Sequence, residues 1–99
     1  MKFGLFGKMT AVANKRDELI DILVEAAHML NTNHDCLHYV IGKSEEDENS
    51  IWIWELWTTK EAHDKSLEPQ EVKDIIMKAR PLIAEIAQGV NLNIVGGKE

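Results

Sequence analysis

A single carboxylate interrupts the most apolar stretch of this chain. Glu55 lies within residues 50–58, a segment that also contains all three tryptophans. Burying a carboxylate among such residues is costly unless the group is paired, protonated or at the edge of a cavity. A partly buried carboxyl group can act as a base or can orient an imidazole, and His63 follows eight residues later. This segment is therefore the first place to expect proton-transfer chemistry.

The same segment is predicted to be a β-strand, because its β-branched and aromatic residues favour an extended backbone. Side chains of a strand alternate between the two faces of a sheet. One face receives Ile51, Ile53, Glu55 and Trp57, and the other receives Trp52, Trp54 and Leu56. Both faces carry large apolar side chains, so we expect both to be covered.

Composition and charge limit the classes of partner. The 99 residues are predicted to form a single domain over positions 1–99, because domains of this size are common. The net charge of -6 repels phosphate groups, which argues against nucleic acid or an anionic membrane as the main partner. The lone Cys36 has no second thiol for a disulfide or a zinc motif. We therefore expect a cytoplasmic protein that binds a small ligand and no metal.

The first half of the chain alternates between strand and helix patterns. Leu5–Ala13 lacks helical spacing and is predicted to be a strand. Apolar residues recur every three or four positions in Asp17–Leu30, which predicts an amphipathic helix. A second strand is expected over Cys36–Lys43. The acidic run Ser44–Asn49 is interpreted as a solvated hairpin tip rather than a metal site, because no fixed arrangement of ligands is evident.

The second half contains two helix signals. Thr58–Glu61 has the pattern of a capping box, in which a threonine oxygen accepts from the N3 amide and the glutamate bonds back to the cap amide. An apolar stripe over Val72–Ile86 predicts a further helix that ends near Gly89. Pro81 should bend or break this helix, because its ring removes one amide donor.

Alternation in Val90–Val95 predicts a last strand, so the elements follow the order strand, helix, strand, strand, helices, strand. This is the split βαβ arrangement of ferredoxin-like α+β folds, here with a four-stranded antiparallel sheet and helices on one face. The other face of the sheet would be left bare. Because side chains of the tryptophan strand lie there, we expect that face to be buried in a homodimer.

One motif is more specific than this general pattern: Glu55–Trp57 followed by Lys60–His63. Together with Arg16–Leu19, Cys36–Tyr39 and the acidic hairpin, it resembles the antibiotic biosynthesis monooxygenase family of dimeric α+β barrel proteins. The resemblance covers most of the chain. It implies enzymes that oxidise phenols or quinols with O2 and without a metal or an organic cofactor, and it also extends to relatives that degrade haem.

Oxygenation without a cofactor requires the substrate to supply the electron, because O2 is a triplet. Deprotonation yields an anion that can reduce O2, so such a site needs a dry pocket, a base and a donor to the oxyanion. His63 is the candidate base, since an unperturbed imidazole titrates near pH 6.5. Trp57 would form a pocket wall or donate its indole N–H, and Glu55 would orient the imidazole or act as the base itself.

Three further residues are candidates for substrate binding. His38 and Tyr39 are consecutive on a strand and point to opposite faces, so at most one of them lines a given cavity. Ile53 is the third candidate, because the resemblance aligns it with a polar asparagine of phenol-oxidising members. In the same alignment, His63 takes the place of a tyrosine.

Two positions make haem breakdown the less favoured chemistry. Haem-degrading relatives have an asparagine where this chain has Gly7, and an iron-binding histidine where it has Leu67. We therefore predict a cofactor-independent monooxygenase that acts on a small quinol-like or phenolic molecule. A non-catalytic small-ligand-binding protein of the same fold, and an isomerase that moves protons with His63 or Glu55, remain alternatives.

Overall fold

The computed structural model describes residues 1–87 and 89–98. Its elements are, in chain order, β1 (Lys2–Ala11), α1 (Arg16–His28), β2 (Cys36–Lys43), β3 (Ser50–Trp57), α2 (Lys60–Lys65), α3 (Gln70–Ala79), a 3₁₀ turn (Arg80–Leu82), β4 (Ile83–Ile86) and β5 (Val90–Ile94). The first strand begins three residues earlier than predicted. The first helix, the second strand and the tryptophan strand lie where the residue patterns placed them.

The strands form one antiparallel sheet in the order β2-β3-β1-β4, and β5 also pairs with β1. β4 pairs with residues 9–11 of β1, and β5 pairs with residues 2–6. The ferredoxin-like α+β class is therefore confirmed. The sheet has five described strands instead of the predicted four, because the edge beside β1 is shared by two short strands.

The predicted helix over Val72–Ile86 is wrong over its last seven residues, and the break expected at Pro81 is confirmed. Helix α3 ends at Ala79, and Pro81 lies in the 3₁₀ turn that follows. A proline at this position lacks an amide donor and its ring clashes with the carbonyl four residues earlier, that of Met77. The chain beyond the turn pairs with β1, where Ile83 lies opposite Ala11. The apolar spacing of Ile83 and Ile86 fits a helix, but four residues suffice only for a short strand.

The core lies between one face of the sheet and the helices. Leu19 of α1 and Ile51 of β3 are fully buried there, and Ile75 of α3 is 8% exposed. The prediction that Ile51 and Trp57 share a face is confirmed by the pairing of β3 with β1, in which Ile51 lies opposite Met9 and Trp57 opposite Phe3. The helices therefore cover the face of the sheet that carries Glu55.

The junction between β3 and α2 is fixed by two threonines. Thr59 is the N-cap, and its Oγ1 accepts a hydrogen bond of 3.1 Å from the amide of Ala62. The cap thus lies one residue later than predicted, with Glu61 at N2 and Ala62 at N3. Only the threonine half of the predicted capping box is therefore confirmed. Thr58 donates its hydroxyl to the Asp35 carboxylate over 2.8 Å. Helix α2 is consequently held close to the end of the tryptophan strand.

The acidic hairpin tip is held by the guanidinium group of Arg16. Nη1 of Arg16 donates to the carbonyl oxygens of Ser44, Asp47 and Ser50 over 3.1, 2.9 and 3.3 Å. Within residues 1–87 and 89–98, no cluster of three or more His, Cys, Asp or Glu side chains is arranged to hold a metal ion. The acidic residues therefore form a structured turn on the protein surface.

Candidate functional site

A cavity of about 350 Å³ opens between the helices and the sheet face that carries Glu55. Most of its lining is apolar and comes from β1, β3, α1, α3 and β4; it includes Leu5, Met9, Leu23, Ile53, Val72, Ile75, Ile83 and Ile86. Polar side chains on the wall include Tyr39, Glu55, His63 and Ser66. A volume of this size accommodates a small organic molecule, and the few polar groups would set its orientation.

Glu55 and Trp57 meet on this wall because they are two residues apart on one strand and so share a face. The indole N–H of Trp57 donates to Oε1 of Glu55 over 3.1 Å. Both residues are buried, with Trp57 only 1% exposed. Burial raises the pKa of Glu55, and the Trp57 hydrogen bond and the nearby His63 oppose that rise. The cost of burying a carboxylate is thus met partly by pairing and partly by easier protonation.

His63 joins this pair from the first turns of α2. Its Nε2 lies 3.9 Å from Oε1 of Glu55, and its side chain is 15% exposed. The imidazole packs edge-on against Trp57, with 5.5 Å between the ring centroids. It also packs at a tilt against Phe3, with 5.4 Å between the ring centroids. The structure therefore brings together the three residues predicted as catalytic, with the imidazole enclosed rather than solvated.

The other ring nitrogen of His63 faces a carboxylate that the sequence reasoning did not select. Nδ1 lies 3.0 Å from Oδ1 of Asp64, and Oδ2 of Asp64 accepts from Lys60 Nζ over 3.2 Å. The hydrogen bond with His63, followed by the one with Lys60, lowers the pKa of Asp64. Asp64 directly follows His63 in the sequence, but consecutive residues of a helix point about 100° apart. A contact between these two side chains was therefore not expected.

The two consecutive candidates on β2 separate as predicted. Tyr39 lies opposite Glu55 and lines the cavity. Burial, followed by the nearby Glu55 charge, raises the pKa of Tyr39 well above its usual range, so its hydroxyl stays protonated. His38 lies opposite Leu56, on the other face of the sheet, and is exposed. The structure thus places Tyr39, and not His38, at this cavity.

Three positions at which this chain differs from haem-degrading or phenol-oxidising relatives also lie at the cavity. Gly7 and Ile53 are paired across β1 and β3, and both line it. Leu67, just beyond α2, is part of the lining as well and is 45% exposed. The wall is therefore apolar at positions where the resemblance implies polar residues or an iron ligand in other proteins.

A family model supplies the decisive comparison. The model described as antibiotic biosynthesis monooxygenase matches residues 3–78, which include the tryptophan strand and the polar cavity residues Tyr39, Glu55, His63 and Ser66. The chain belongs to the antibiotic biosynthesis monooxygenase family. No protein among the curated ones matches the sequence significantly.

Solved structures agree with this antibiotic biosynthesis monooxygenase assignment. A Chloroflexus aurantiacus J-10-fl structure named for the same family is 40% identical, with a TM-score of 0.90 over 100% of this chain and 98% of that one. A Caulobacter crescentus CB15 structure with the same family name is 19% identical, with a TM-score of 0.88 over 96% and 91% of the two chains. This second likeness shows the fold alone.

A variant of SnoaB from Streptomyces nogalater, named as a cofactor-independent oxygenase, is 11% identical to this chain. Its TM-score is 0.83 over 97% of this chain and 95% of that chain. At this identity the likeness again concerns the fold.

Among the helices that the structure of the present chain describes, none is long and apolar enough to cross a membrane.

Proposed function

We propose that this protein is a cofactor-independent monooxygenase that oxidises a small phenolic or quinol-like molecule with O2 in the cavity beside Glu55. The observation that carries the proposal is the meeting of a buried carboxyl group and an enclosed imidazole on an otherwise apolar wall. Paired titratable groups in an apolar pocket are typical of sites that remove protons. Membership of the family, and the fold shared with a cofactor-independent oxygenase, support the same assignment.

The distance between the two groups suits a hydroxyl. Oε1 of Glu55 and Nε2 of His63 are 3.9 Å apart, which is longer than a direct hydrogen bond. A substrate oxygen about 2.8 Å from each atom would subtend an angle of roughly 90°, an acceptable geometry for a hydroxyl group that bonds to both. A phenolic hydroxyl placed there would reach both candidate bases while its ring lies in the apolar part of the cavity.

The chemistry then follows from the substrate anion. The O–H bond breaks, the proton passes to His63 or Glu55, and the electron pair stays on the substrate oxygen. The anion gives one electron to O2, and the two radicals combine through a new carbon–oxygen bond into a peroxide anion, which takes back the proton from His63 or Glu55. The O–O bond of the hydroperoxide then breaks, and water leaves with the hydrogen of the same carbon. One oxygen atom ends in a quinone-type product and the other in water. The protonated hydroxyl of Tyr39 is available on the cavity wall to donate to the oxyanion.

A homodimer is the second part of the proposal. The sheet face away from the helices carries large apolar side chains with high exposure, namely Phe6 (43%), Val40 (55%), Trp52 (40%), Val90 (51%) and Leu92 (40%). Trp54 lies on the same face and covers Gly4 so closely that an added Cβ would be 2.8 Å from the indole ring. A contiguous apolar face of this kind favours burial against another subunit.

The test of the catalytic proposal is oxygen consumption by protein stripped of metal and flavin, measured with a panel of one- and two-ring hydroquinones. We expect uptake that stops under nitrogen. Turnover that continues without O2 would favour the proton-transfer isomerase, and binding without turnover in either atmosphere would favour the ligand-binding protein. Uptake that requires added iron, haem or flavin would contradict cofactor independence.

A further inference from the structure

The residues around His63 form a chain of polar contacts from the cavity to the protein surface. Glu55 lies on the inner side of the imidazole and Asp64 on the outer side, at 3.9 and 3.0 Å from the two ring nitrogens. Asp64 has a side chain that is 54% exposed, and Lys60 binds its second oxygen. The imidazole thus lies between two carboxyl groups, one facing the cavity and one facing solvent.

We propose that Asp64 is a positioning residue that fixes the tautomer of His63, so that the lone pair of Nε2 faces Glu55 and the cavity. The inference rests on the proposed function for its catalytic meaning, although the tautomer itself can be observed without turnover. Asp64 is not among the candidate site residues predicted from the sequence, so its role is additional to theirs.

Hydrogen-bond donors and acceptors decide which nitrogen of His63 carries the hydrogen. An ionised carboxylate only accepts hydrogen bonds, and a neutral imidazole carries one N–H donor and one acceptor nitrogen. The hydrogen bonds from His63 and Lys60 favour the ionised form of Asp64. At 3.0 Å from Oδ1 of Asp64, Nδ1 must therefore carry the proton of the neutral ring. The lone pair is then left on Nε2, the nitrogen next to the cavity.

Packing holds the ring in place, and the contact with Asp64 sets which way its nitrogens point. The imidazole is 5.4 Å from the ring of Phe3 and 5.5 Å from that of Trp57, and these contacts come from two different strands. The charged and titratable groups placed next to the imidazole are Glu55 from β3 and Asp64 from its own helix. A half-turn of the ring would keep both aromatic contacts but would put the carbon Cδ2 in the place of Nδ1, so the contact with Asp64 would be lost.

The consequence concerns the proton that leaves the substrate. When the substrate O–H bond breaks, the proton forms a bond with the Nε2 lone pair and the electron pair stays on the substrate oxygen. The imidazolium that results lies between Glu55 and Asp64, and both carboxyl groups can stabilise its charge. With the opposite tautomer, Nε2 would already carry a hydrogen and could accept no proton from the substrate.

The experiment combines a spectroscopic readout with a rate. In protein labelled with ¹⁵N at histidine, the ring shifts of the neutral His63 imidazole report which nitrogen carries the hydrogen. We expect the Nδ1–H tautomer in the wild type, a mixture or the Nε2–H tautomer in Asp64→Asn, and recovery in Asp64→Glu. A matched control is Asp17→Asn, because Asp17 is also an exposed aspartate in an ion pair, 3.0 Å from Lys43 Nζ, and should leave the His63 shifts unchanged.

The second measurement is the turnover rate of the same variants. Asp64→Asn should lower kcat by at least about 10-fold, as a lost tautomer of a catalytic histidine does, whereas Asp17→Asn should keep it. A wild-type His63 protonated at Nε2, or an Asp64→Asn variant with unchanged shifts and unchanged kcat, would overturn the proposal. If the shifts behave as expected and no hydroquinone is oxidised by any variant, the tautomer assignment is supported and the proposed monooxygenase function is the part that fails.

Discussion

The indole N–H of Trp57 points at the carboxylate of Glu55, two residues earlier on the same strand, and donates to its Oε1 over 3.1 Å. This contact joins a residue that is almost fully buried to the acid that faces the cavity. It has an electrostatic consequence, because a donated hydrogen bond favours the charged form of the acceptor. The protonation state of Glu55 is therefore set jointly by its burial and by Trp57.

Replacing Trp57 by phenylalanine should raise the pKa of Glu55 further, because an apolar aromatic side chain is kept while the hydrogen bond that opposes the effect of burial is lost. Carbon-13 NMR of labelled glutamate side chains follows this titration directly. The matched control is Trp52→Phe, on the other face of the sheet and 40% exposed. An unaltered or lowered Glu55 pKa in Trp57→Phe would mean that the indole N–H does not stabilise the carboxylate.

The pH dependence of stability gives a second prediction about Glu55. Its pKa in the folded protein lies above the ordinary value of 4.5, so the folded state binds more protons than the unfolded state between these two values. The contribution of Glu55 to stability is therefore full below about pH 4.5 and declines as the pH rises through its folded pKa. Glu55→Gln removes this decline.

Urea unfolding at several pH values tests the sign. The free energy of unfolding of the wild type, taken relative to that of Glu55→Gln, should fall as the pH increases from 4 to 8. Glu25→Gln is a suitable control, because Glu25 is an exposed glutamate of α1 whose carboxylate lies 3.3 Å from Lys78 Nζ. A wild type that gains stability relative to Glu55→Gln with rising pH would show that pairing dominates over burial.

Two histidines provide a matched pair for activity. His63→Gln should lower kcat by roughly 100-fold or more, the usual scale for a positioned base, because Nε2 faces Glu55 and the cavity. His38→Gln should leave kcat within about twofold, since His38 is exposed on the opposite face of the sheet. Steady-state oxygen uptake measures both. Equal losses in the two variants, or none in either, would remove His63 from the reaction.

Much of this arrangement could be predicted from the residue pattern. Alternation along the tryptophan strand was enough to place Glu55 and Trp57 on one face and Trp52 on the other, because a strand has a strict period of two. The same rule separated His38 from Tyr39. The helix start at Thr59 was recognisable from its capping residue, although the register was displaced by one position.

The remaining features depended on tertiary contacts. Ile83 and Ile86 have a spacing that suits a helix, and only pairing with β1 made that segment a strand. The enclosure of His63 required Phe3, which is distant in sequence and reaches the ring through the pairing of β1 with β3. The contact between His63 and Asp64 depends on side-chain rotamers, which a sequence pattern does not specify.

The proposed homodimer makes a prediction about the bare sheet face. Wild-type protein at micromolar concentration should sediment at about twice the 11.2 kDa chain mass. Val40→Asp should dissociate it, because a charge that is harmless on a monomer surface costs several kcal/mol when buried unpaired in an interface. Met77→Asp is the control, since Met77 is 65% exposed on α3. A wild-type protein that sediments at the mass of one chain would contradict the dimer.

The most direct test of the proposed function is the fate of oxygen atoms in protein freed of metal and flavin. With ¹⁸O₂ and a two-ring hydroquinone that the protein consumes, one labelled atom should appear in the organic product and the other in water. The rate of labelling should fall by roughly 100-fold in Glu55→Gln or His63→Gln. A product without label, or labelling that is unchanged in both variants, would contradict a monooxygenase reaction at this cavity.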